Sequence, residues 1–262
     1  MKKIAIITGA SSGMGLEFAL LTDKTFKSVD EIWLIARRYE RLTELKDRIS
    51  KPCLIISEDI NDVNFINFYK KALKQEDVKV KLLINCAGYG IMGRAGREAI
   101  EVETGMIDTN CKALTAITNV TIPFMSKNSR IINLASSAGF MPQPYFAIYA
   151  ATKAYVLSYS RALNIELKDK KIYVTAVCPG PVSTEFFSIA EKGSKQQWYK
   201  KYFMAKPEDV VKKALTDSIN RKEISVYGLS MRGFRFAAKV IPHKVILNII
   251  NLISKEAKEE DI

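Results

Sequence analysis

The sequence predicts an α/β fold: a doubly wound, seven-stranded parallel sheet with a C-terminal amphipathic helical tail. Three observations predict it. Short apolar runs alternate with longer amphipathic ones, the runs are apolar at nearly every position, and a glycine-rich turn directly follows the first of them. Strands covered by helices on both faces lose the polar alternation of a half-exposed sheet, so near-continuous Val, Ile and Leu marks them. Taken in order, the strands are expected at 4–7, 32–35, 53–56, 81–85, 130–134, 172–177 and 224–227. Helices are expected between them at about 13–23, 39–50, 61–75, 103–125, 147–169 and 207–221. The last opens with Pro207-Glu208-Asp209, a proline in the first turn and acids at the positive end of the helix dipole.

Composition narrows the classes. The 262 residues are 48% hydrophobic and 26% charged, enough apolar matter for a sizeable core and against global disorder. No repeat or Gly/Ser-rich linker divides the chain, so a single domain over 1–262 is expected. The net charge of +12 is spread along the sequence without a block of five like charges. That pattern fits an ordinary basic surface better than a nucleic-acid partner. Cys53, Cys86, Cys111 and Cys178 lie far apart and His243 is the sole histidine, which argues against the common zinc sites. Reduced thiols and an N-terminal apolar run too short for a signal peptide point to the cytoplasm.

Two segments stand outside the alternation. Residues 185–206 are rich in aromatics and lysine and suit a substrate lid. Residues 229–262 form a helical extension in which Ile246, Ile249, Ile250 and Ile253 share one face. Arg235, Lys239 and Lys244 interrupt it, so it cannot span a bilayer; packing within the protein or a dimer is expected ahead of peripheral membrane contact.

The first strand leads into Thr8-Gly9-Ala10-Ser11-Ser12-Gly13-Met14-Gly15 and then a helix. Glycines let such a turn bring backbone N–H groups close to a pyrophosphate at the positive end of the helix. At the end of the second strand stands Ala36-Arg37-Arg38, with no acid before Glu40. An NAD site commonly has Asp or Glu here, whereas a guanidinium pairs with a 2′-phosphate, so NADP (NADPH) is expected ahead of NAD. Further on, Tyr149 and Lys153 stand at i and i+4 on one helical face. A neighbouring cation is expected to lower the phenol from its ordinary value near 10 and make it a proton donor and acceptor.

The T-G-x-x-x-G-x-G spacing, Asn85-Cys86-Ala87-Gly88, Tyr149-x-x-x-Lys153 and Pro179-Gly180-Pro181-Val182-Ser183-Thr184 occur in one order. In this the chain resembles the short-chain dehydrogenase/reductase family, over about residues 1–227. The resemblance implies a Rossmann-type sheet and a cofactor site at Gly9, Ser11, Ser12, Gly13, Met14, Gly15, Arg37 and Arg38. It adds Asp59 and Ile60 near the adenine, then Asn85, Ala87 and Gly88. It also implies that Pro179, Gly180, Val182 and Thr184 lie by the nicotinamide, and that Tyr149 and Lys153 also touch the cofactor. The family's catalytic serine stands three residues before a glycine; counting back from Gly139 selects Ser136, with Ser137 as the fallback. Asn110 matches the asparagine that supports a proton path to the lysine. Cys86 departs from the family's N-N-A-G and is given no redox role.

The resemblance implies an NADP-dependent oxidoreductase that interconverts a carbonyl and an alcohol, similar to the ketone or hydroxysteroid-type reductase branch. A small substrate of apolar character is expected, since Tyr89, Met92, Gln143 and Tyr145 with Phe186, Phe187, Trp198, Tyr199, Tyr202 and Phe203 are candidates for pocket and lid. A homo-oligomer, dimer or tetramer, is expected, and no metal. The alternatives are a catalytically silent NADP-sensing or scaffold protein, and a 3-oxoacyl carrier-protein reductase. The latter group usually ends in a strand followed by D-G-G, where this chain reads Tyr227-Gly228-Leu229-Ser230.

Overall fold

The computed structural model describes residues 1–190 and 204–248. Its strands are β1 (Lys2–Thr8), β2 (Glu31–Ile35), β3 (Cys53–Ile56), β4 (Val78–Asn85), β5 (Met125–Leu134), β6 (Tyr173–Val177) and β7 (Ile224–Ser225). They form one sheet in the order β3-β2-β1-β4-β5-β6-β7, with every neighbouring pair parallel. The helices are α1 (Gly13–Thr25), α2 (Tyr39–Lys46), α3 (Phe65–Gln75), α4 (Ile100–Ile107), α5 (Leu114–Thr121), α6 (Ala147–Glu166), α7 (Glu185–Ala190), α8 (Pro207–Ile219) and α9 (Leu229–Val240).

Successive side chains of a strand point to opposite faces, and here both faces are covered. Ala5, Ile7, Ile32, Leu34 and Ile84 meet Phe18 of α1, Leu42 and Leu45 of α2 and Val211 of α8. Ile4, Ile6, Trp33, Leu83 and Ile131 meet Phe65 and Tyr69 of α3, Ile117 of α5 and Leu163 of α6. Each such side chain is buried, and full burial stabilises by roughly 1.5–3 kcal/mol per large residue. That two-sided packing explains why the strands read as unbroken apolar runs.

Several boundaries differ from the sequence reading. β4 begins at Val78, where Val78 and Val80 are buried between part-exposed lysines, and β5 begins at Met125, ahead of the expected 130. β7 stops at Ser225, short of 227. The helix expected over 103–125 is broken: α4 ends at Ile107, a π-helical turn covers Asp108–Ala113, α5 follows, and a short 3-10 turn covers Ile122–Phe124. The described part of the tail is two helical pieces, α9 and residues 243–248, with Ile241-Pro242 between them. Trp198, Tyr199, Tyr202 and Phe203 of the expected lid, and Ile249, Ile250 and Ile253 of the tail, lie outside the described residues. Among the described residues no helix is long and apolar enough to cross a membrane.

The strand order reverses between β1 and β4, and the crevice beyond the C-terminal ends of these strands is where open α/β sheets bind ligands. Thr8, Asn85, Leu134 and Val177 end their strands on that side.

Candidate active site

The turn after β1 is built from close backbone approaches. Gly9 (φ +69°) lies against β4's exit so tightly that a Cβ there would fall 2.8 Å from the Ala87 nitrogen and Cα. A Cβ at Gly15 would fall 2.1 Å from the Gly9 oxygen, so α1 starts where it does only because no side chain intervenes. Thr8 Oγ1 accepts from the amides of Cys86 and Ala87, both at 3.1 Å, and ties the two strand exits together. Asn85 turns its amide inward, donating to Thr118 Oγ1 at 2.9 Å and Asn133 Oδ1 at 2.8 Å. Its side chain thus braces β4 against α5 and β5.

The two arginines after β2 diverge. Arg38 crosses the turn, its Nε donating to Ser11 Oγ at 3.2 Å and its Nη2 to Ser12 Oγ at 2.7 Å. Arg37 is largely exposed and faces Asp59 at 3.7 Å. The second cation beside Arg38 is Arg41, in the first turn of α2; both guanidinium groups hold the Glu185 carboxylate. Sequence reading missed Arg41 and Glu185; the one available signal was the i, i+3 spacing of Arg38 and Arg41.

At the other end of the crevice, Tyr149 and Lys153 project from α6 and are both buried. Ser136, in the turn after β5, hydrogen-bonds the phenol and accepts from the Ala138 amide at 3.1 Å. Ser137 instead donates its amide to the Pro179 carbonyl at 2.8 Å, so of the two serines Ser136 is the one brought to Tyr149. Lys153 Nζ lies 5.5 Å from the centre of the Tyr149 ring and donates to the Leu134 carbonyl at 2.7 Å. Asn110, in the π-helical turn, donates to Thr152 Oγ1 at 3.0 Å and to the Tyr89 carbonyl at 2.9 Å, and accepts from the Tyr89 amide. A Cβ at Gly88 would sit 2.7 Å from Asn110 Oδ1 and 3.5 Å from Lys153 Nζ, so that glycine lets the β4 exit pass beside both.

The expected lowering of the phenol is reversed. Burial pushes Tyr149 well above the ordinary tyrosine value, and only the Ser136 bond opposes it. Burial also pulls Lys153 down to about 8. The reason is geometric: the ammonium stands over the ring, 5.5 Å from its centre, and directs its hydrogen bond to the Leu134 carbonyl, while Phe146 and Phe186 exclude water from the phenol. Phe146 stacks on the Tyr149 ring at 4.3 Å and Phe186 lies tilted against it at 5.3 Å. Phe146, which sequence reading also missed, is thus a wall of the site with Phe186.

The P-G segment lies between these ends. Gly180 packs under Met231 of α9, and Val182 is buried and bridges Ala205. The Thr184 side chain lies over Gly13, and Ile60 packs on the core near α3. Burial pushes the thiols up, Cys86 and Cys178 to about 12 and Cys53 and Cys111 to about 11, which disfavours the reactive thiolate. Among the described residues no cluster could hold a metal ion.

A dinucleotide fits these residues. The glycine cradle leaves the phosphate turn without side chains where backbone must approach, and the donor set of Ser11, Ser12, Arg38 and Arg41 is cationic. Fold and site together define a nicotinamide-dinucleotide oxidoreductase on a Rossmann-type sheet. The chain belongs to the short chain dehydrogenase family, whose model matches residues 3–195. It is an NAD(P)-dependent oxidoreductase acting on CH–OH and C=O groups.

An uncharacterized oxidoreductase of Staphylococcus epidermidis is 31% identical over 229 residues, covering 86% of this chain and 96% of that one. An NADP-dependent 3-hydroxy acid dehydrogenase of Escherichia coli O157:H7 is 33% identical over 214 residues, covering 79% and 85%. A short-chain dehydrogenase from Sphingobium yanoikuyae, solved with NADPH, superposes with a TM-score of 0.74 at 26% identity, covering 92% and 96%.

Proposed function

We propose that the protein is an NADP-dependent reductase and dehydrogenase that interconverts a small carbonyl compound and its alcohol. The observation that carries this reading is the cluster of Tyr149, Ser136 and Lys153 at the same crevice as the Arg38–Arg41 pair. Gly9, Gly13 and Gly15 with the amides of the turn would hold the pyrophosphate, and Arg38 with Arg41 a 2′-phosphate. Met14, Asp59, Ile60, Ala87, Gly88, Pro179, Gly180, Val182 and Thr184 would line the rest of that site, with Arg37 at its exposed adenine side. When bound, the cofactor supplies or takes the hydride.

The residues of the chain handle the proton and the substrate oxygen. Burial keeps the Tyr149 phenol neutral, which is the form that donates a proton to an oxygen gaining negative charge. Ser136 holds that oxygen beside the phenol, a positioning and electrostatic role. Lys153, charged below about pH 8, returns a proton to the phenol once it has donated its own, and Asn110 supports that supply. In the oxidative direction the same groups act in reverse. Phe146 and Phe186 offer an apolar wall to the substrate. The Escherichia coli 3-hydroxy acid dehydrogenase supports both the cofactor and the carbonyl–alcohol chemistry. The free thiols support a cytoplasmic setting, and a homo-oligomer is part of the proposal.

The test is a panel of ketones, aldehydes and 3-oxoacyl thioesters followed by loss of NADPH absorbance and repeated with NADH. NADPH is expected to be preferred at least about tenfold. Tyr149→Phe should lower kcat by about 10²–10⁴-fold while NADPH binding persists. Undiminished turnover in that variant would overturn the mechanism.

A further inference from the structure

One carboxylate closes across the mouth of the crevice. Glu185 opens α7, and its Oε2 accepts from Arg38 Nη1 at 3.0 Å while its Oε1 accepts from Arg41 Nη1. Thr184, just before it, lies against the phosphate turn: a Cβ on Gly13 would be 3.2 Å from its Cβ and Cγ2. The same Arg38 guanidinium rests on Ser11 and Ser12. The three charged side chains are each a little over 40% exposed, so solvent and ligands reach the bridge.

We propose that Glu185 is a specificity-determining residue: it is the internal counter-ion of Arg38 and Arg41, and a nucleotide displaces it only by presenting a 2′-phosphate. The proposal rests on the NADP reading and deepens it, adding Arg41 as the second cation and Glu185 as the competing anion. Two guanidinium groups this close would repel each other without an anion between them, and the carboxylate supplies one. A phosphate monoester brings a charge between −1.5 and −2 and three acceptor oxygens, against one charge and two oxygens for the carboxylate. It therefore replaces what the arginines lose. A free 2′-hydroxyl brings no charge, and the bridge persists beside it. Half-exposed ion pairs are individually weak, so the bridge is displaceable rather than locked. Its cost still falls selectively on 2′-phosphorylated ligands, because only they compete for the same nitrogens.

The experiment measures binding of 2′,5′-ADP and of 5′-AMP to the full chain by calorimetry, for wild type, Glu185→Gln, Arg41→Gln and the double variant. Wild type should bind 2′,5′-ADP more tightly than 5′-AMP. Glu185→Gln should tighten 2′,5′-ADP by about three- to tenfold and leave 5′-AMP within about twofold. Arg41→Gln should weaken 2′,5′-ADP by a similar factor, and the gain from Glu185→Gln should shrink in its background. If Glu185→Gln leaves 2′,5′-ADP unchanged, weakens it, or tightens both nucleotides alike, the proposal fails and the NADP reading stands. If wild type binds both nucleotides equally, the NADP reading fails and the proposal with it.

Discussion

Ser136 and Ser137 are adjacent in sequence and differ entirely in surroundings, one bonded to the Tyr149 phenol and the other held through its amide to Pro179. Ser136→Ala is expected to lower kcat by about 10²-fold or more, and Ser137→Ala to stay within a few-fold, in the same NADPH assay. Equal losses would remove the distinction. Lys153 gives a test that needs no substrate. Burial holds it at about 8, while the unfolded chain keeps the ordinary lysine value near about 10.4. Between those values the unfolded state binds the extra proton, so this site makes stability rise with pH. Below the lower value the full cost of burying the ammonium is present. Relative to Lys153→Met, wild type should gain about 1–2 kcal/mol between pH 7.5 and 9.5 in urea unfolding. A constant difference would mean the lysine is not desolvated. At this scale the sequence was legible where chemistry sits in contiguous patterns, as at Gly9–Gly15 and Tyr149–Lys153. Arg41, Phe146 and Glu185 were not, because they join the site only through tertiary approach; Glu185 and Arg41 are 144 residues apart.

The elements show where periodicity succeeds and where it stops. Strands buried on both faces announce themselves by composition, and β3 falls where it was expected. The stretch 103–125 reads as one helix because its apolar spacing continues across Asp108–Ala113. Thr109, Asn110 and Cys111 are nevertheless buried, and the π-helical turn carries Asn110 Nδ2 to Thr152 and Tyr89. Polar residues driven into the core by a local widening of the helix leave no periodic trace, and such turns are frequent at functional sites. The phosphate turn is the opposite case, since its glycines are required by contacts a sequence can suggest. Gly15→Ala would place a methyl 2.1 Å from the Gly9 oxygen, both on backbone that cannot yield cheaply. It is expected to destabilise by about 3 kcal/mol and to abolish cofactor binding. Gly93→Ala, with nothing within 4 Å of its Cβ, should change stability by no more than about 0.5 kcal/mol. Thermal unfolding of the two variants checks both expectations.

Across the whole molecule, the crevice depends on the last strands being fixed at the edge of the sheet. β7 is two residues long, and its pairing with β6 aligns only Ile224 and Ser225 with Ala176 and Val177. So short an edge needs a second attachment, and Asp217 of α8 supplies it. Its buried carboxylate accepts from Ser225 Oγ at 2.8 Å, pairs with Lys222 at 3.0 Å and also holds Lys213. Beyond β7 the chain continues into α9, which lays Met231 on Gly180 and Phe234 against Phe140, beside the Ser136 turn. Anchoring the edge therefore also seats the P-G segment. Burial pushes the Asp217 carboxyl up, but the hydrogen bonds from Lys213, Lys222 and Ser225 outweigh it and hold the group below the ordinary aspartate value. A depressed folded value means the stabilisation is present above the unfolded value near about 3.9 and is lost as pH falls through the folded one. Asp217→Ala removes the charged hydrogen bonds and leaves the buried Ser225 hydroxyl without its acceptor, while Lys213 and Lys222 return to water, so it should cost about 1.5–3 kcal/mol at pH 7. Urea unfolding should show that difference shrinking at pH 3 and below, as the wild-type carboxylate is protonated. A loss of the same size at both pH values would mean that Asp217 acts by packing alone and that its charge does not hold the sheet edge.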